Sequence, residues 1–406
     1  RRLQERAAAR ANARQRMTIG GAAAAVVAIV AIVLAVVLSG GNGKSAASGS
    51  SPVASGSGAP TSSAPPSPAP THADGCTTKP SVVASPIANF PILPAGVDTV
   101  RLSSGYTAVP IVLENQRMAS VAQWIEGARP RTLPNAIAPV IAGTGAAASL
   151  GGAVVWKALL ALVVSLALIV GVNYANDYSD GIRGTDAYRV GPSRLTGSGA
   201  AKPRTVLGVA IAFFALAAIA GVLVVIASGI YWLLVVGAVC IVAAYFYTGG
   251  KHPYGYYGLG EVFVFVFFGL VATAGTTFVQ AHTVNLESWL AGVAIGLLAC
   301  AVLMVNNLRD LEQDKLAGKR TLAVLVGSRA ARILFGVFAL LPFVILAFFC
   351  IFYVKAPLVY FALLAILPAV LITSTAKTAP EFMVALRLTS ITALVFGLGL
   401  GAALAF

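Results

Sequence analysis

Two clusters of carboxylate, amide and basic side chains hold most of the acidic residues in the second half of the chain. Of the ten acidic residues after residue 117, six lie in these clusters. The first reads NYANDYSDGIRGTD and runs from Asn173 to Asp186, with Arg194 shortly after it. The second reads NNLRDLEQDK and runs from Asn306 to Lys315. These are the residues whose types and spacing indicate chemistry.

The spacing inside each cluster indicates the kind of chemistry. Asp177 and Asp180 are three residues apart, and Asp310 and Asp314 are four apart, so on a helix each pair shares a face. Paired carboxylates repel unless a cation lies between them, and Mg²⁺ is commonly held by one or two carboxylates plus substrate phosphates. Taken singly, an aspartate fits a solvated loop charge that helps to set topology better than it fits a metal ligand. Two similar clusters with interleaved arginine and lysine favour a clamp for magnesium and a diphosphate.

The rest of the sequence must place these clusters at the edge of a membrane. Of the 406 residues, 58% are hydrophobic and only 10% are charged, against about 25% charged in soluble domains. This excludes an ordinary soluble enzyme, a disordered chain and a disulfide scaffold. Apolar runs of about 20 residues predict nine spans, with bounds good to about 2–4 residues, near 132–150, 154–175, 205–227, 230–247, 259–280, 288–306, 330–353, 357–375 and 385–405. The alternating run Val262–Phe268 is assigned to helix, because an open strand leaves its backbone unpaired in lipid.

The distribution of charge orients these spans. A net charge of +14 suggests nucleic acid in a soluble chain, but in a membrane protein lysine and arginine stay on the cytoplasmic side. The nine-span layout places 16 of the 18 basic residues after residue 117 on one side. Both clusters open on that side, because an even number of helices separates them. We therefore expect a multi-pass protein of the cell (plasma) membrane, with a cytoplasmic site and no nucleic-acid partner.

The first 117 residues do not agree with this layout. Residues 1–39 combine a basic start with an apolar, signal-anchor-like helix. Residues 40–117 form a Gly/Ser/Pro-rich linker and an unassigned segment. The leader directs this segment outward, whereas Arg129 and Arg131 require the first span to begin inside. We expect residues 118–406 to form the functional domain, with 1–117 a fused or mis-joined extension that activity does not need; a genuine anchor and stalk is the alternative.

The two clusters resemble the aspartate-rich motifs of the UbiA superfamily of intramembrane prenyltransferases. Further segments are similar to the 1,4-dihydroxy-2-naphthoate polyprenyltransferase branch, and together the resemblance covers residues 118–406. These segments are ARPRTLP at 128–134, RVGPSRL at 189–195, YTGG at 247–250 and GLGEVFVF at 258–265. One departure concerns Asp186, which follows Asp180 by six residues, where many relatives in other branches have a third aspartate after four. The resemblance leaves the role of Asp186 open.

The resemblance implies an all-α membrane fold with nine helices around a central cavity. It also implies Mg²⁺ and transfer of a polyprenyl group from its diphosphate to 1,4-dihydroxy-2-naphthoate. Carbon dioxide and diphosphate leave, and the product is demethylmenaquinone, for menaquinone biosynthesis. Other aromatic acceptors, such as 4-hydroxybenzoate or homogentisate, remain open. An ion-coupled transporter is a further alternative, but it requires carboxylates near the bilayer midplane rather than at the ends of helices.

Roles for individual residues follow from the motifs. Asp177, Asp180, Asp310 and Asp314 are expected to bind Mg²⁺, and Asn173 and Asn176 either to supply further oxygens or to support the ligands from behind. Five basic residues are expected to bind the diphosphate: Arg183, Arg194, Arg309, Lys251 and Lys319.

Further roles stay open between chemistry and architecture. Tyr245 and Tyr247 either stabilise an allyl cation or anchor the chain at the interface. Glu261 either orients the acceptor or a basic partner, or caps its helix. Arg129 and Arg131 either bind the acceptor's carboxylate or only set topology. Aromatic residues of one predicted span are assigned to lipid or helix contacts: Phe263, Phe265 and Phe267.

Overall fold

A computed structural model describes residues 100–101, 107–108, 119–188 and 194–406. The predicted leader at 1–39 lies outside the described residues, as does nearly all of the predicted linker at 40–117. The chain divides into two units, one of which is Lys44–Asn115. Within that unit, strands β1 (Val100–Arg101) and β2 (Thr107–Ala108) form a short antiparallel ladder. Everything described from residue 119 onward is helix, turn or loop.

Seven helices of this part are long and apolar enough to cross a membrane, so the chain is an integral membrane protein. They are α3 (Val155–Ile182), α4 (Pro203–Ser228), α6 (Gly260–Ala281), α7 (Leu286–Arg309), α9 (Leu322–Phe352), α10 (Ala356–Thr375) and α11 (Ala379–Ala405). Two shorter helices occupy the positions of the first and fourth predicted spans: α2 (Pro134–Ser149) and the apolar α5 (Leu233–Phe246). Two short polar helices complete the set: α1 (Val121–Gly127) and α8 (Leu311–Leu316).

Helix α7 forms the centre of the packing. It contacts α2, α6, α9 and α11, and 83% of its apolar stretch is buried. The close approach of α6 to α7 depends on glycine, because a Cβ on Gly269 of α6 would lie only 2.6 Å from the Cα of Gly296 of α7. At this close contact α6 becomes a π-helix over Phe265–Val271, a local form that is frequent at functional sites. The assignment of the alternating run Val262–Phe268 to helix is confirmed.

The ends of α3 and α7 differ from the predicted spans in a way that positions the acidic clusters. Helix α3 continues to Ile182, seven residues beyond the predicted limit, so Asp177 and Asp180 are helical. Helix α7 ends at Arg309, and α8 starts directly after Asp310. The N–H of Asp314 donates to the carbonyl oxygen of Asp310 at 2.8 Å, which keeps the two aspartates one turn apart.

Helix α9 begins at Leu322, eight residues before the predicted limit. Gly327 interrupts it with φ 81° and ψ 162°, a conformation that glycine adopts without a Cβ penalty. The predicted span near 330 therefore corresponds to the part of α9 after this break. The turn between α8 and α9, which contains Lys319, returns the chain to the packed helices.

Candidate active site

One cavity of about 570 Å³ runs between α3, α4, α5, α6 and α7. Helix α3 lines it along one face from Ala161 to Asp180, which corresponds to roughly 28 Å at the helical rise per residue. The lining changes from polar to apolar along this length. Apolar side chains line the part remote from the carboxylates: Ala161, Val164, Leu168, Val225, Leu234 and Val279. The cavity therefore offers a charged end and a long apolar remainder.

The charged end contains the aspartates of both clusters. The four that line it are Asp177, Asp180, Asp310 and Asp314. Asp177 and Asp180 are each 2% exposed, and Asp314 is 9% exposed. A direct contact joins the clusters, because the Lys319 Nζ lies 2.9 Å from an Asp180 Oδ2. The fold brings the two segments, 130 residues apart in sequence, to one end of one cavity.

Asp180 is the most heavily contacted of these carboxylates. In addition to Lys319, its Oδ2 lies 3.2 Å from the Arg194 Nη1, and its Oδ1 accepts a 2.5 Å hydrogen bond from the Tyr256 hydroxyl. The ring of Tyr256 lies 4.9 Å from the Lys319 Nζ and 5.5 Å from the Arg183 Cζ. Burial, and then the adjacent Asp180, raise the pKa of Tyr256 above its ordinary value, so its hydroxyl remains a donor.

Asp177 positions the loop that carries Arg194. Its two oxygens accept from the backbone N–H groups of Leu195 at 2.9 Å and Thr196 at 2.8 Å. Arg194 is thereby held among the carboxylates. Burial lowers the pKa of its guanidinium, but Asp180, Asp186 and two further aspartates raise it more, so the net pKa lies above the ordinary value. Of the RVGPSRL segment, residues 189–193 lie outside the described part of the chain.

The amide side chains beside the aspartates have fixed orientations. Asn173 donates through Nδ2 to the carbonyl oxygen of Ala128 at 2.9 Å and to the Thr132 hydroxyl at 3.1 Å. The Asn176 Oδ1 accepts a 2.6 Å hydrogen bond from the Thr248 hydroxyl. Both amides line the cavity. The first cluster is therefore joined on one side to the short helical turn Pro130–Thr132, called the Thr132 turn, and on the other to the YTGG segment.

Arg309 also lies at the charged end and pairs with its own neighbour. Its Nε and Nη2 donate to the two oxygens of Asp310 at 2.8 and 2.6 Å. Tyr247 lines the cavity as well. Of the five basic residues predicted to bind a diphosphate, Arg194, Arg309 and Lys319 therefore line this cavity.

Four other predicted site residues do not line it. Lys251 is exposed in a bend. The Arg183 guanidinium donates to the carbonyl oxygens of Thr248 and Gly250, so it clamps the YTGG segment. Tyr245 packs edge-on against its neighbour Phe246. Glu261 is 2% exposed and lies behind the lining, where its Oε1 accepts from the Nδ2 of Asn307 at 2.9 Å.

The structure adds cavity residues that the sequence did not single out for binding. They are Thr132, Asn135, Thr248, Tyr256, Asn307, Phe263 and Phe267. Phe263 and Phe267 line the cavity, which the expected lipid or helix contacts did not include, and the Phe263 ring also stacks on Tyr254. Phe265 is 4% exposed and packs on Gly296, a helix contact as expected. Tyr256 lies in the loop between the YTGG and GLGEVFVF segments. Its position between two recognised motifs was the sequence signal that could have identified it as a site residue.

Comparison with known proteins agrees with this arrangement. The model of the UbiA prenyltransferase family matches residues 136–381. A Mycobacterium tuberculosis protein named 1,4-dihydroxy-2-naphthoate octaprenyltransferase is 52% identical over 296 residues, covering 71% of this chain and 99% of that protein. The Mycobacterium leprae protein of the same name is 57% identical over 218 residues, covering 54% and 74%.

A solved structure supports the fold. The apo structure of a UbiA homolog from Aeropyrum pernix K1 superimposes with a TM-score of 0.50 at 17% identity, covering 65% of this chain and 96% of that one. The family match, the near full-length relative and the shared fold lead to one conclusion. This chain belongs to the UbiA prenyltransferase family.

Proposed function

We propose that the chain transfers a polyprenyl group from its diphosphate to 1,4-dihydroxy-2-naphthoate. Carbon dioxide and diphosphate are released, and demethylmenaquinone is formed for menaquinone biosynthesis. The acceptor rests on the names of the relatives that are 52% and 57% identical. The transfer itself rests on one observation in the chain. Both aspartate clusters and three cations occupy one end of a cavity whose remainder is apolar.

The two ends of the cavity suit the two parts of the donor substrate. A diphosphate needs positive charge and metal, whereas a prenyl tail needs an apolar channel. Ionisation at the charged end leaves the allyl cation beside Tyr247, Phe263 and Phe267, which line the next part of the cavity. Aromatic faces stabilise cations, and the apolar surroundings exclude the water that would quench this one.

The residues present fit magnesium bound together with a diphosphate. Asp177, Asp180, Asp310 and Asp314 supply the oxygen ligands that Mg²⁺ prefers, and we propose that they hold it. Among the described residues, no group of three or more acidic, histidine or cysteine side chains is close enough to hold a metal alone. This agrees with a metal that takes the remaining ligands from phosphate and water. When bound, Mg²⁺ would neutralise charge on the departing diphosphate.

The basic residues at this end have a second task in the reaction. Arg194 and Lys319 contact Asp180, and both line the cavity. We propose that they turn from Asp180 to the diphosphate oxygens when substrate binds, with Arg309 beside them. As the C–O bond breaks, negative charge grows on these oxygens, and positioned cations stabilise it more than the ground state. Asn173 and Asn176 hold their helix face in register with this group.

The acceptor is proposed to enter beside the Thr132 turn. Arg129, Arg131 and Thr132 line the cavity there. Burial, and then Arg309 and Arg387, lower the pKa of the Arg131 guanidinium. Arg131 also pairs with Glu126, so a carboxylate of the acceptor would bind Arg129 or replace Glu126 at Arg131. The buried Asn135 Oδ1 has no hydrogen-bond partner in the described chain, so it is available to a ring hydroxyl. Glu261 acts indirectly by orienting Asn307.

We also propose the membrane arrangement that this chemistry requires. The seven long helices with α2 and α5 would make nine spans around the cavity, with the charged end on the cytoplasmic side of the plasma membrane. The excess of basic residues on that side supports this orientation. Residues 118–406 would be the prenyltransferase domain, and 1–39 and 40–117 a leader and linker. A chain starting at Met118 is then expected to retain full turnover.

The decisive experiment supplies the purified chain with 1,4-dihydroxy-2-naphthoate and a polyprenyl diphosphate, with Mg²⁺ or with a chelator. We expect a prenylated, decarboxylated product by mass spectrometry only with Mg²⁺. Parallel reactions contain 4-hydroxybenzoate or homogentisate in place of the naphthoate. Product from either of these but not from the naphthoate would refute the proposed acceptor. Turnover that survives chelation would refute the metal clamp.

A further inference from the structure

Asp186 is the acidic residue of the first cluster whose role the sequence leaves open. Unlike Asp177 and Asp180, it does not line the cavity. It belongs to a short turn, Thr185–Tyr188, that follows the end of α3. Its side chain is only 5% exposed, yet it is not among the residues that line the cavity. The carboxylate is therefore buried inside the protein and separated from the space that substrate would enter.

Asp186 contacts Arg194. The Asp186 Oδ1 lies 3.5 Å from the Arg194 Nε, while the Arg194 Nη1 reaches Asp180 at 3.2 Å. A guanidinium has a planar fork with distinct edges. Asp186 contacts it at Nε, so that the terminal nitrogen Nη1 extends to the cavity. Arg194 thus lies between one carboxylate behind the lining and another within it.

The loop backbone is packed against Asp186 as closely as the chain allows. A Cβ on Gly197 would lie 2.6 Å from the Asp186 Cβ and 3.1 Å from its Oδ2. Contacts below 3.0 Å require something to shift. On the other side of the loop, Asp177 accepts from the backbone of Leu195 and Thr196. Asp177 and Asp186 therefore hold this loop from two directions.

We propose that Asp186 is a positioning residue, which holds Arg194 at the diphosphate end of the cavity and does not bind the metal. The inference rests on the proposed prenyl transfer, whose diphosphate is the anion that Arg194 would grip. If Asp180 binds the metal, Asp186 is a carboxylate that still fixes the guanidinium. Without Asp186, Arg194 loses its orientation toward the diphosphate already in the bound substrate, so donor binding weakens.

The test compares Asp186→Asn, Arg194→Ala and the double variant in the full chain. We expect Asp186→Asn to raise the KM for prenyl diphosphate about tenfold, with a smaller change in kcat. Calorimetric binding of a prenyl thiodiphosphate, a slowly reacting analogue, is expected to weaken by about the same factor. The Mg²⁺ concentration for half-maximal turnover should stay within about twofold of wild type at saturating donor. In the Arg194→Ala background, Asp186→Asn should add nothing, because coupled residues are non-additive.

Two further variants keep the test decisive. Gly197→Ala displaces the same loop without changing any charge, and we expect it to weaken thiodiphosphate binding in the same way. If Asp186→Asn does not fold in detergent, Gly197→Ala provides the binding measurement instead. Glu312→Gln is the matched control, because this acidic residue of the second cluster is 71% exposed at its side chain and pairs with the exposed Lys315 at the surface. Its binding and turnover should equal wild type.

Three results would overturn the inference. The first is a higher Mg²⁺ requirement for Asp186→Asn with unchanged thiodiphosphate binding, which would make Asp186 a metal ligand. The second is a full additional loss in the Arg194→Ala background, which would separate Asp186 from Arg194. The third is unchanged binding in both Asp186→Asn and Gly197→Ala. A wild-type chain without Mg²⁺-dependent transfer would instead contradict the proposed function.

Discussion

The two aspartate clusters look alike in sequence but are used differently in the fold. In the first, Asp177 and Asp180 are each 2% exposed. Asp177 accepts from two backbone N–H groups, and Asp180 from Tyr256 while it pairs with two cations. In the second, the Asp310 side chain is 16% exposed and pairs with the adjacent Arg309. The first cluster therefore organises the surrounding chain, and the second mainly presents charge to the cavity.

The difference follows from where each cluster lies along its helix. Asp177 and Asp180 are in the continuous last turns of α3, against which the 194–200 loop and the YTGG segment pack. Asp310 lies at the break between α7 and α8, where a polar side chain reaches the cavity without crossing another element. Buried carboxylates that hold several donors are part of the scaffold as well as the site. Substitutions should therefore affect stability in one cluster more than in the other.

The largest effect is expected for Asp180→Asn. This change removes the carboxylate that Arg194 and Lys319 share, although Arg194 keeps its contact with Asp186. Breaking a buried pair costs about 3–5 kcal/mol of folding free energy. Because Asp180 is also a proposed metal ligand, we expect turnover to fall by about 10³-fold or more, which is about 4 kcal/mol of activation free energy. Melting in detergent should also shift clearly downward. Transfer rate and melting temperature are measured on the same preparation, and an unchanged melting temperature would contradict the scaffold role.

Asp310→Asn should separate the two effects. The amide keeps one oxygen for Arg309 but loses the charged two-point contact, so we expect the free energy of unfolding to fall by about 1.5–3 kcal/mol, less than for Asp180→Asn. Mg²⁺-dependent transfer should still drop by about 10²–10³-fold, because the substitution removes charge that the metal needs. Product formation against Mg²⁺ concentration is the measurement. Comparable melting losses in Asp180→Asn and Asp310→Asn would remove the distinction between the clusters.

Tyr256→Phe tests whether the organisation around Asp180 extends to the neighbouring loop. The variant loses the 2.5 Å hydrogen bond to Asp180 but retains the ring beside Lys319. Hydrogen bonds to charged groups contribute about 1.5–3 kcal/mol. We expect a loss of turnover of about tenfold, with the KM for the acceptor unchanged. Tyr257→Phe is a suitable control, because Tyr257 is half-exposed and its hydroxyl contacts His252.

Tyr256 also illustrates what the sequence could and could not indicate. Helix spacing placed Asp177 with Asp180 and Asp310 with Asp314, and the parity of the spans placed both pairs at the same end. Local periodicity has no such rule for a loop of tyrosines and glycines. The contact between Tyr256 and Asp180 depends on how the 247–259 loop folds back over α3, and only the tertiary structure specifies that.

The same explanation applies to which of the predicted basic residues reach the carboxylates and which do not. Arg194 and Lys319 reach the carboxylates because Asp177 holds one loop and the turn after α8 returns the other. Arg183 has the same charge and lies closer to Asp180 in sequence, yet its guanidinium binds two carbonyl oxygens. Sequence identifies which residues are charged, whereas the partners are decided by which unpaired backbone groups lie nearby.

Arg183→Gln is therefore expected to have a smaller effect than changes at the aspartates. The substitution loosens the clamp on Thr248 and Gly250 without removing a cation from the cavity. We expect a two- to fivefold loss of turnover, about 0.4–1 kcal/mol by the usual conversion. Binding of the prenyl thiodiphosphate should be unchanged. Weakened binding would instead support the direct diphosphate contact that the motif predicts.

Lys251→Ala should have the smallest effect of all, and it separates motif-based from structure-based assignment most directly. Lys251 follows the YTGG segment, where the motif predicts a diphosphate ligand, but its side chain is exposed and does not line the cavity. Substitutions at such surface positions usually change stability by less than about 0.5 kcal/mol. We expect kcat and the KM for prenyl diphosphate to stay within about twofold of wild type. A tenfold rise in that KM would mean that the loop brings Lys251 to the diphosphate when substrate binds. The first cluster would then be supported by a mobile cation as well as by the fixed ones.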